Sequence, residues 1–499
     1  MKIRRLISGV MCGIMTMGVM NFRTFAADSV NITVGSGGFA TVQQAIDSVK
    51  AGQSAVITIT PGTYEEGVVV DKPNIKLVNN NKSKEAVITY DRGPAHSDPA
   101  KKLGTEKSAT FLVTEKATGF SADNIVFKNT YNIGTSFEQG QAVAFESLAD
   151  KVVLENCSFI GRQDTLYLKG ASKGKETYGS ANPARVYLKN CYIEGTVDFI
   201  FGDATAYFDN CKLFMAYSEK GGHFTAANTT LFNIGYVFDR CQFLTDDKYK
   251  TDSAAAAKVD LGRPWQANTT YPNSGSYTAI INSKMSDVIK KEGFSVWGDE
   301  TVTNKVRYYE YGTTDLKGRP TDISKRDKNI CKILTAQQAA LFTPYTVLSG
   351  SDSWNPLKAK KTNESAFDVT LDKYSIELPQ GETTSIKAFS QNNKIKSFSS
   401  SDSNIAAVDE NGKITAVSQG SAEITAEGEN GFAASAKISV KPTRTAAPTI
   451  KEISIDHIST FAPGTTMTVN YSYALESDNK DDAARISWYL LKDGQEILL

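Results

Sequence analysis

Asp164 and Asp198 each lie eight residues after an asparagine, Asn156 and Asn190, that opens a similar short unit. If those units stack as neighbouring parallel strands, the two carboxylates come within about 4.8 Å of each other. Two carboxylates that close cannot both ionise freely. One pKa rises while the partner stays charged, which gives an acid and a nucleophile or base at one site. Asp198 falls between Val197 and Phe199 in an apolar run that reads as a buried or half-buried strand, where an ionised carboxylate is costly unless paired. The alternative is a structural aspartate ladder at a turn. Gln163, an amide donor directly before Asp164, and the apolar flanks of Asp198 favour a site. Gln141, within Gly140-Gln141-Ala142-Val143-Ala144-Phe145, is predicted one coil earlier on the same face. Arg263, within Leu261-Gly262-Arg263-Pro264-Trp265, offers a fixed cation to orient a carboxylate, beside an indole on which a sugar ring can stack. Taken singly, a glutamine of this kind more often belongs to a ladder, and an arginine before proline to the surface.

The elements that must position these residues come from a repeat. Asn, a small or apolar residue, a variable residue and a large apolar one recur from Asn74, Asn124, Asn156, Asn190, Asn210 and Asn282, and from Arg240 with arginine in the first place. Each unit reads as a short alternating strand. The intervals are rich in Gly, Asn, Asp and Ser and carry no long helical pattern, which excludes alternating strands and helices. Variable spacing around one strand-and-turn unit predicts an all-β solenoid, a parallel β-helix, with insertions leaving from a common corner. Cys157, Cys191, Cys211 and Cys241 share one repeat position and would stack as small apolar residues. A Cys191–Cys211 disulfide is compatible with their separation.

Residues 39–51 place Phe39, Val42, Ala45, Ile46 and Val49 at helical spacing before Gly52, which predicts a short amphipathic helix capping the first coil. Residues 334–342 read as a short closing helix. Residues 1–27 combine Lys2, Arg4 and Arg5 with an apolar stretch and a small-residue exit, the pattern of a secretory signal peptide. The solenoid is expected over 28–350, a linker over 351–366, a small β-sandwich over 367–441, a second linker over 442–448, and a partial second sandwich over 449–499 that stops in mid-pattern, as a truncated module would. Fifty-five basic side chains balance 55 acidic ones, so charge makes no case for nucleic acid or an acidic membrane as partner. No segment after residue 27 offers the apolar length of a membrane span. Cysteine spacing fits neither a zinc site nor a redox pair, and no metal or cofactor is expected.

The motifs Gly62-Thr63-Tyr64-Glu65-Glu66, Gln141-Ala142-Val143-Ala144, Gly161-Arg162-Gln163-Asp164-Thr165-Leu166, Gly195-Thr196-Val197-Asp198-Phe199-Ile200-Phe201-Gly202 and Leu261-Gly262-Arg263-Pro264-Trp265 occur in the order seen in one enzyme family. Over about residues 30–345 the chain resembles the pectin methylesterases, or pectinesterases: secreted right-handed parallel β-helix enzymes that remove methyl esters from galacturonan. The resemblance implies Asp198 as nucleophile and Asp164 as general acid and then base. It also implies Gln141 and Gln163 as oxyanion donors and Arg263 as the group that holds Asp198 and keeps it ionised. Trp265 would stack on a sugar, with Tyr167, Phe199 and Trp297 as further cleft contacts. Where many relatives carry Gly-Trp, this chain has Gly293-Phe294-Ser295-Val296-Trp297. His223 has no part in the family mechanism and reads as a cleft or turn residue. Residues 367–441 resemble bacterial Ig-like (group 2) modules, expected to serve as spacers or to contact cell wall or glycan. The expected protein is therefore a secreted, extracellular monomer, a carboxylic ester hydrolase acting on methyl-esterified homogalacturonan. The alternatives are a pectate lyase or polygalacturonase on the same fold, or a non-enzymatic glycan-binding surface protein.

Overall fold

The computed structural model describes residues 29–131, 133, 140–170, 184–231, 233–266, 275–298, 301, 303–357, 369–390 and 394–442, and beyond these the strands Thr449–Ile455, Val469–Ala474, Tyr489–Lys492 and Gln495–Leu498. The expected signal peptide, residues 358–366 of the first expected linker and nearly all of the second lie outside the described residues. The chain divides into two compact units, 1–364 and 365–499.

The first unit is a parallel β-helix of three sheets. An eleven-stranded sheet runs from Ser29–Val34 to Cys331–Ile333, a nine-stranded sheet from Gly62–Glu65 to Thr314–Asp315, and a seven-stranded sheet from Val68–Val70 to Val259–Gly262. Pairing between coils is parallel and in register, so like residues stack. Phe145 lies over Phe111 (ring centroids 5.6 Å apart), Phe159 over Phe127 (5.5 Å) and Phe238 over Phe208 (4.4 Å). These rings fill the interior, where area burial and offset stacking act together.

The repeat unit proves to begin at a corner and not within a strand. All seven of its first residues have positive φ, from 50° at Asn282 to 61° at Asn124. Six of them bend the chain from the eleven-stranded to the nine-stranded sheet, and the strand resumes two residues later, as from Asn190 to Tyr192–Gly195, whereas Asn74 turns from the seven-stranded sheet directly into the eleven-stranded strand Ile75–Val78. Asparagine tolerates this left-handed conformation better than most residues. Its amide also links coils: Asn210 Nδ2 donates to Asn190 Oδ1 at 2.8 Å, and Asn156 Nδ2 to Asp123 Oδ1 at 2.7 Å. The longer insertions leave from the two corners that flank the seven-stranded sheet, as between Leu168 and Arg185 or Thr245 and Val259, while a shorter one separates Val78 from Ala86. The cysteines behind the asparagines point inward. Cys157, Cys191, Cys211, Cys241 and Cys331 are all buried free thiols.

The N-terminal helix is shorter than its apolar spacing predicts, Val42–Ser48. Thr41 caps it, accepting from the Gln44 N–H, and the Glu66 carboxylate accepts from the N–H groups of Val42 (2.7 Å) and Gln43 (2.9 Å). Phe39 stays outside, 38% exposed, while Val42, Ala45 and Ile46 close the coil interior. At the other end the closing helix is Ala336–Ala340. A second helix, Pro344–Leu348, was not evident from the sequence. It opens with a Thr343/Thr346 capping box and packs on the eleven-stranded sheet.

In the second unit a four-stranded sheet (Ser375–Pro379, Ala433–Lys441, Gly420–Gly428, Ile395–Ser400) and a three-stranded one (Thr383–Ser385, Lys413–Ala416, Ala406–Val408) enclose Ile376, Ile414, Ile424 and Ile438. Strict alternation of exposed and buried residues along Lys413–Ala416 is the period of a one-sided sheet. No helix among the described residues is long and apolar enough to cross a membrane.

Candidate active site

Asp164 and Asp198 lie at equivalent corners of adjacent coils, where the chain turns from the nine-stranded into the seven-stranded sheet. Offsets of 34 residues on both sides fix the equivalence: Ser158 pairs with Tyr192 before the corner and Leu166 with Ile200 after it. Across the corner itself the Asp164 N–H donates to the Val197 carbonyl at 3.1 Å.

The strand expected around Asp198 is corrected. Tyr192–Gly195 ends before it and Ile200–Gly202 begins after it, and Asp198 has φ 52°, as Asp164 has φ 61°. Non-glycine residues held there are strained, and such positions concentrate at functional sites. Gly195 makes the turn possible: a Cβ on it would stand 2.2 Å from Phe199 Cβ and 2.7 Å from the Arg162 carbonyl oxygen.

Arg263 follows the last strand of the seven-stranded sheet, Val259–Gly262, and forks onto Asp198. Its Nε donates to Oδ1 at 3.0 Å and its second terminal nitrogen to Oδ2 at 2.6 Å. That bidentate geometry fixes the carboxylate in position and plane. Asp164 has no such partner. It is 8% exposed, and burial, reinforced by the charge of Asp198 and opposed by Arg263, holds its pKa well above the usual carboxylate range. The pair thus divides into a carboxylate ion-paired on both oxygens and a carboxyl whose pKa is raised.

Gln163 precedes Asp164 directly, and its carbonyl accepts from the Ala142 N–H at 3.1 Å, which places Gln141 on the adjoining coil. Gln141 lies in an extended segment ahead of the strand Phe145–Ser147 and not within a strand. No described residue engages either side-chain amide, so both remain available to a ligand.

Beside the pair stands an aromatic shelf. Tyr167 stacks on Phe201, with centroids 4.1 Å apart and planes 11° apart, and Trp265 tilts against Phe201 at 5.9 Å. Phe199, expected in the cleft wall, is instead fully buried and packs on Phe224 at 5.3 Å inside the coil. Phe201, which the sequence reading passed over, takes the outer place because it pairs in register with Tyr167. Carrying the 34-residue offset between Asp164 and Asp198 over to Tyr167 would have found it. Trp297 lies over the Arg263 guanidinium, 3.7 Å from ring centroid to Cζ. Its segment is tied down through the buried Asp260, whose carboxylate lies 2.6 Å from His223 Nδ1 and 3.0 Å from Lys290 Nζ and accepts from the Ser295 hydroxyl. His223 lies on the strand Gly222–Ala227 as part of this anchor. Among the described residues no group of three or more His, Cys, Asp or Glu is placed to hold a metal ion.

Residues 28–351 match the family model for pectinesterases, and residues 368–449 that for the bacterial Ig-like domain (group 2). Pectinesterase 4 of Arabidopsis thaliana is 31% identical over 331 residues, 64% of this chain and 50% of the relative, so the chain spans about half the length of that protein. Pectinesterase 31 of Arabidopsis thaliana is 33% identical over 287 residues, 56% of this chain and 79% of the relative. The structure of a pectin methylesterase in complex with a hexasaccharide superposes with a TM-score of 0.52 at 27% identity, covering 66% of this chain and 99% of that one.

Proposed function

The chain belongs to the pectinesterase family, and from that premise we propose that it hydrolyses the C6 methyl esters of homogalacturonan to free carboxylates and methanol, with Asp198 as nucleophile. The observation that carries this reading is the contrast between two equivalent aspartates: Asp198 is gripped by Arg263 on both oxygens, and Asp164, one coil away, has its pKa raised by burial and by its neighbour.

An Asp198 oxygen attacks the ester carbonyl carbon. Negative charge gathers on the carbonyl oxygen, where the unengaged amides of Gln141 and Gln163 can donate to it. The intermediate collapses as Asp164 passes its proton to the departing methoxy oxygen, releasing methanol and leaving a mixed anhydride between Asp198 and C6. Asp164, now a carboxylate, takes a proton from water as that water attacks the C6 carbon of the anhydride. The galacturonate carboxyl leaves, Asp198 is restored, and Asp164 carries a proton again. Trp265, Tyr167 and Phe201 supply the wall against which sugar rings lie. The hexasaccharide complex of the related enzyme supports an oligosaccharide ligand for the cleft. The signal-like residues 1–27 support export to where pectin is found.

Asp198→Asn is expected to abolish methanol release from esterified pectin while leaving circular dichroism and the unfolding midpoint near those of the parent. Turnover retained at the parental rate would remove Asp198 as nucleophile. New reducing ends or unsaturated ends, in place of methanol, would replace the esterase reading by a glycosidase or a lyase.

A further inference from the structure

The seven-stranded sheet carries a carboxylate that this mechanism leaves unused. Glu146 sits in the strand Phe145–Ser147, in register with Leu112 on one side and Tyr167 on the other. Tyr167 in turn pairs with Phe201. Alternation settles the face. Phe145, Leu166 and Ile200 belong to the interior, so Glu146, Tyr167 and Phe201 form one row on the outer face, the floor of the cleft. Glu146 is 2% exposed, about as buried as Asp198 at 5%, and its Oε2 has no hydrogen-bond partner.

A buried, unpartnered carboxyl is costly, and such groups in a cleft mark function more often than packing. Burial pushes its pKa up to about 7, with Glu106 adding to the rise and Lys169 opposing it. The groups around it come from every neighbouring element. Lys169 directly follows the next strand, Leu166–Leu168, pairs with Glu106 of the turn Thr105–Lys107 at 2.7 Å, and lies 5.5 Å from the Tyr167 ring centroid. The Tyr167 hydroxyl feels Glu146, Glu106, Asp203 and Asp164 together. Leu112 brings no charge, and Arg92 is turned to the Ala109 carbonyl at 3.2 Å.

We propose that Glu146 is a specificity-determining residue that reads the C6 group of a sugar bound beside the one under attack, admitting the neutral methyl ester and, once ionised, rejecting the carboxylate that the reaction leaves behind. This rests on the esterase reading above. Substrate and product units of one polymer differ at C6 chiefly in charge, so a discriminating group must itself respond to charge. Glu146 lies one strand from Tyr167 and two from Phe201, steps of about 4.8 Å each, the scale of neighbouring sugar rings. As the neutral acid it can donate a hydrogen bond to either an ester carbonyl or a carboxylate. As the anion, in a poorly solvated place, it repels the carboxylate and leaves the ester indifferent.

The test uses the full chain and two defined oligogalacturonides, one fully methyl-esterified and one with free acids flanking each ester, with kcat/KM for methanol release measured on both. The ratio of the two is expected to rise about tenfold in favour of the fully esterified substrate between about pH 6 and about pH 8, one unit either side of the Glu146 value. Titrations of the Asp164–Asp198 pair act on both substrates and cancel in the ratio, as does any misfolded fraction. Glu146→Gln should make the ratio level with pH. Lys169→Met, which removes the cation opposing the shift, should move the rise to higher pH. A ratio level in the parent, a rise that persists in Glu146→Gln, or a midpoint unmoved in Lys169→Met would each overturn the role of Glu146. Absence of methanol from the fully esterified substrate would instead sink the esterase reading itself.

Discussion

Equivalent positions on adjacent coils give Asp164 and Asp198 the same backbone, and only their neighbours separate them. Arg263 reaches one and not the other, so one carboxyl is ion-paired while burial and the adjacent charge raise the pKa of its partner. A general acid must carry its proton when methanol leaves, so kcat/KM on fully esterified substrate should fall as pH rises through this elevated pKa. The apparent value belongs to the coupled pair. A profile that stays flat or climbs over the whole range in which the protein remains folded would exclude Asp164 as the acid. The pair itself was legible in the sequence, because the interval from asparagine to aspartate is eight residues in both coils. Phe199 was misassigned because an apolar run shows no face until its register is known. Glu146 was missed although the criterion that singled out Asp198, an ionisable residue amid apolar neighbours, applies equally to Ala144-Phe145-Glu146.

The corner asparagines are the elements on which register depends. Their recurrence was visible, but their conformation was not, since the residues that follow alternate like the start of a strand. Local sequence likewise gave no sign that Asp198 belongs to a corner, because its apolar flanks read like a strand, while the close approach of Gly195 to the Arg162 carbonyl comes from the preceding coil. The N-terminal helix fell short of its pattern because Thr41 caps it after Phe39 has already turned outward. Asn210 allows these effects to be weighed. Alanine there meets the left-handed penalty, about 1–2 kcal/mol, and also loses the amide bond to Asn190. Glycine loses the bond but takes the φ of 54° freely. Asn210→Ala should therefore lower the denaturant midpoint more than Asn210→Gly. Equal losses in the two variants, which both lack the amide, would show that the amide ladder, and not backbone conformation, holds the corner.

At the scale of the molecule, a solenoid that matches the pectinesterase model is joined to a unit that matches a bacterial Ig-like domain. If the latter is a wall- or glycan-binding part, residues 28–350 alone should be washed from insoluble pectin more readily than the whole chain at equal methanol-releasing activity. Equal retention would count against that role. A linker was expected over 351–366, and the division into two units falls between 364 and 365. Of the aromatic shelf, Tyr167 and Trp265 were named from the motifs, whereas Phe201 needed the register between coils. The short range of the pairing in the seven-stranded sheet has a kinetic side. Phe145 meets Leu166, Leu166 meets Ile200, Ile200 meets Thr225 and Thr225 meets Gly262, at separations of 21, 34, 25 and 37 residues. Each closure costs loop entropy that grows only with the logarithm of such lengths, so the coils can zip up one after another behind a single nucleus. Every group assigned to the chemistry, from Gln141 to Arg263, lies within 123 consecutive residues. The reaction centre can therefore be complete while the end of the chain is still being synthesised.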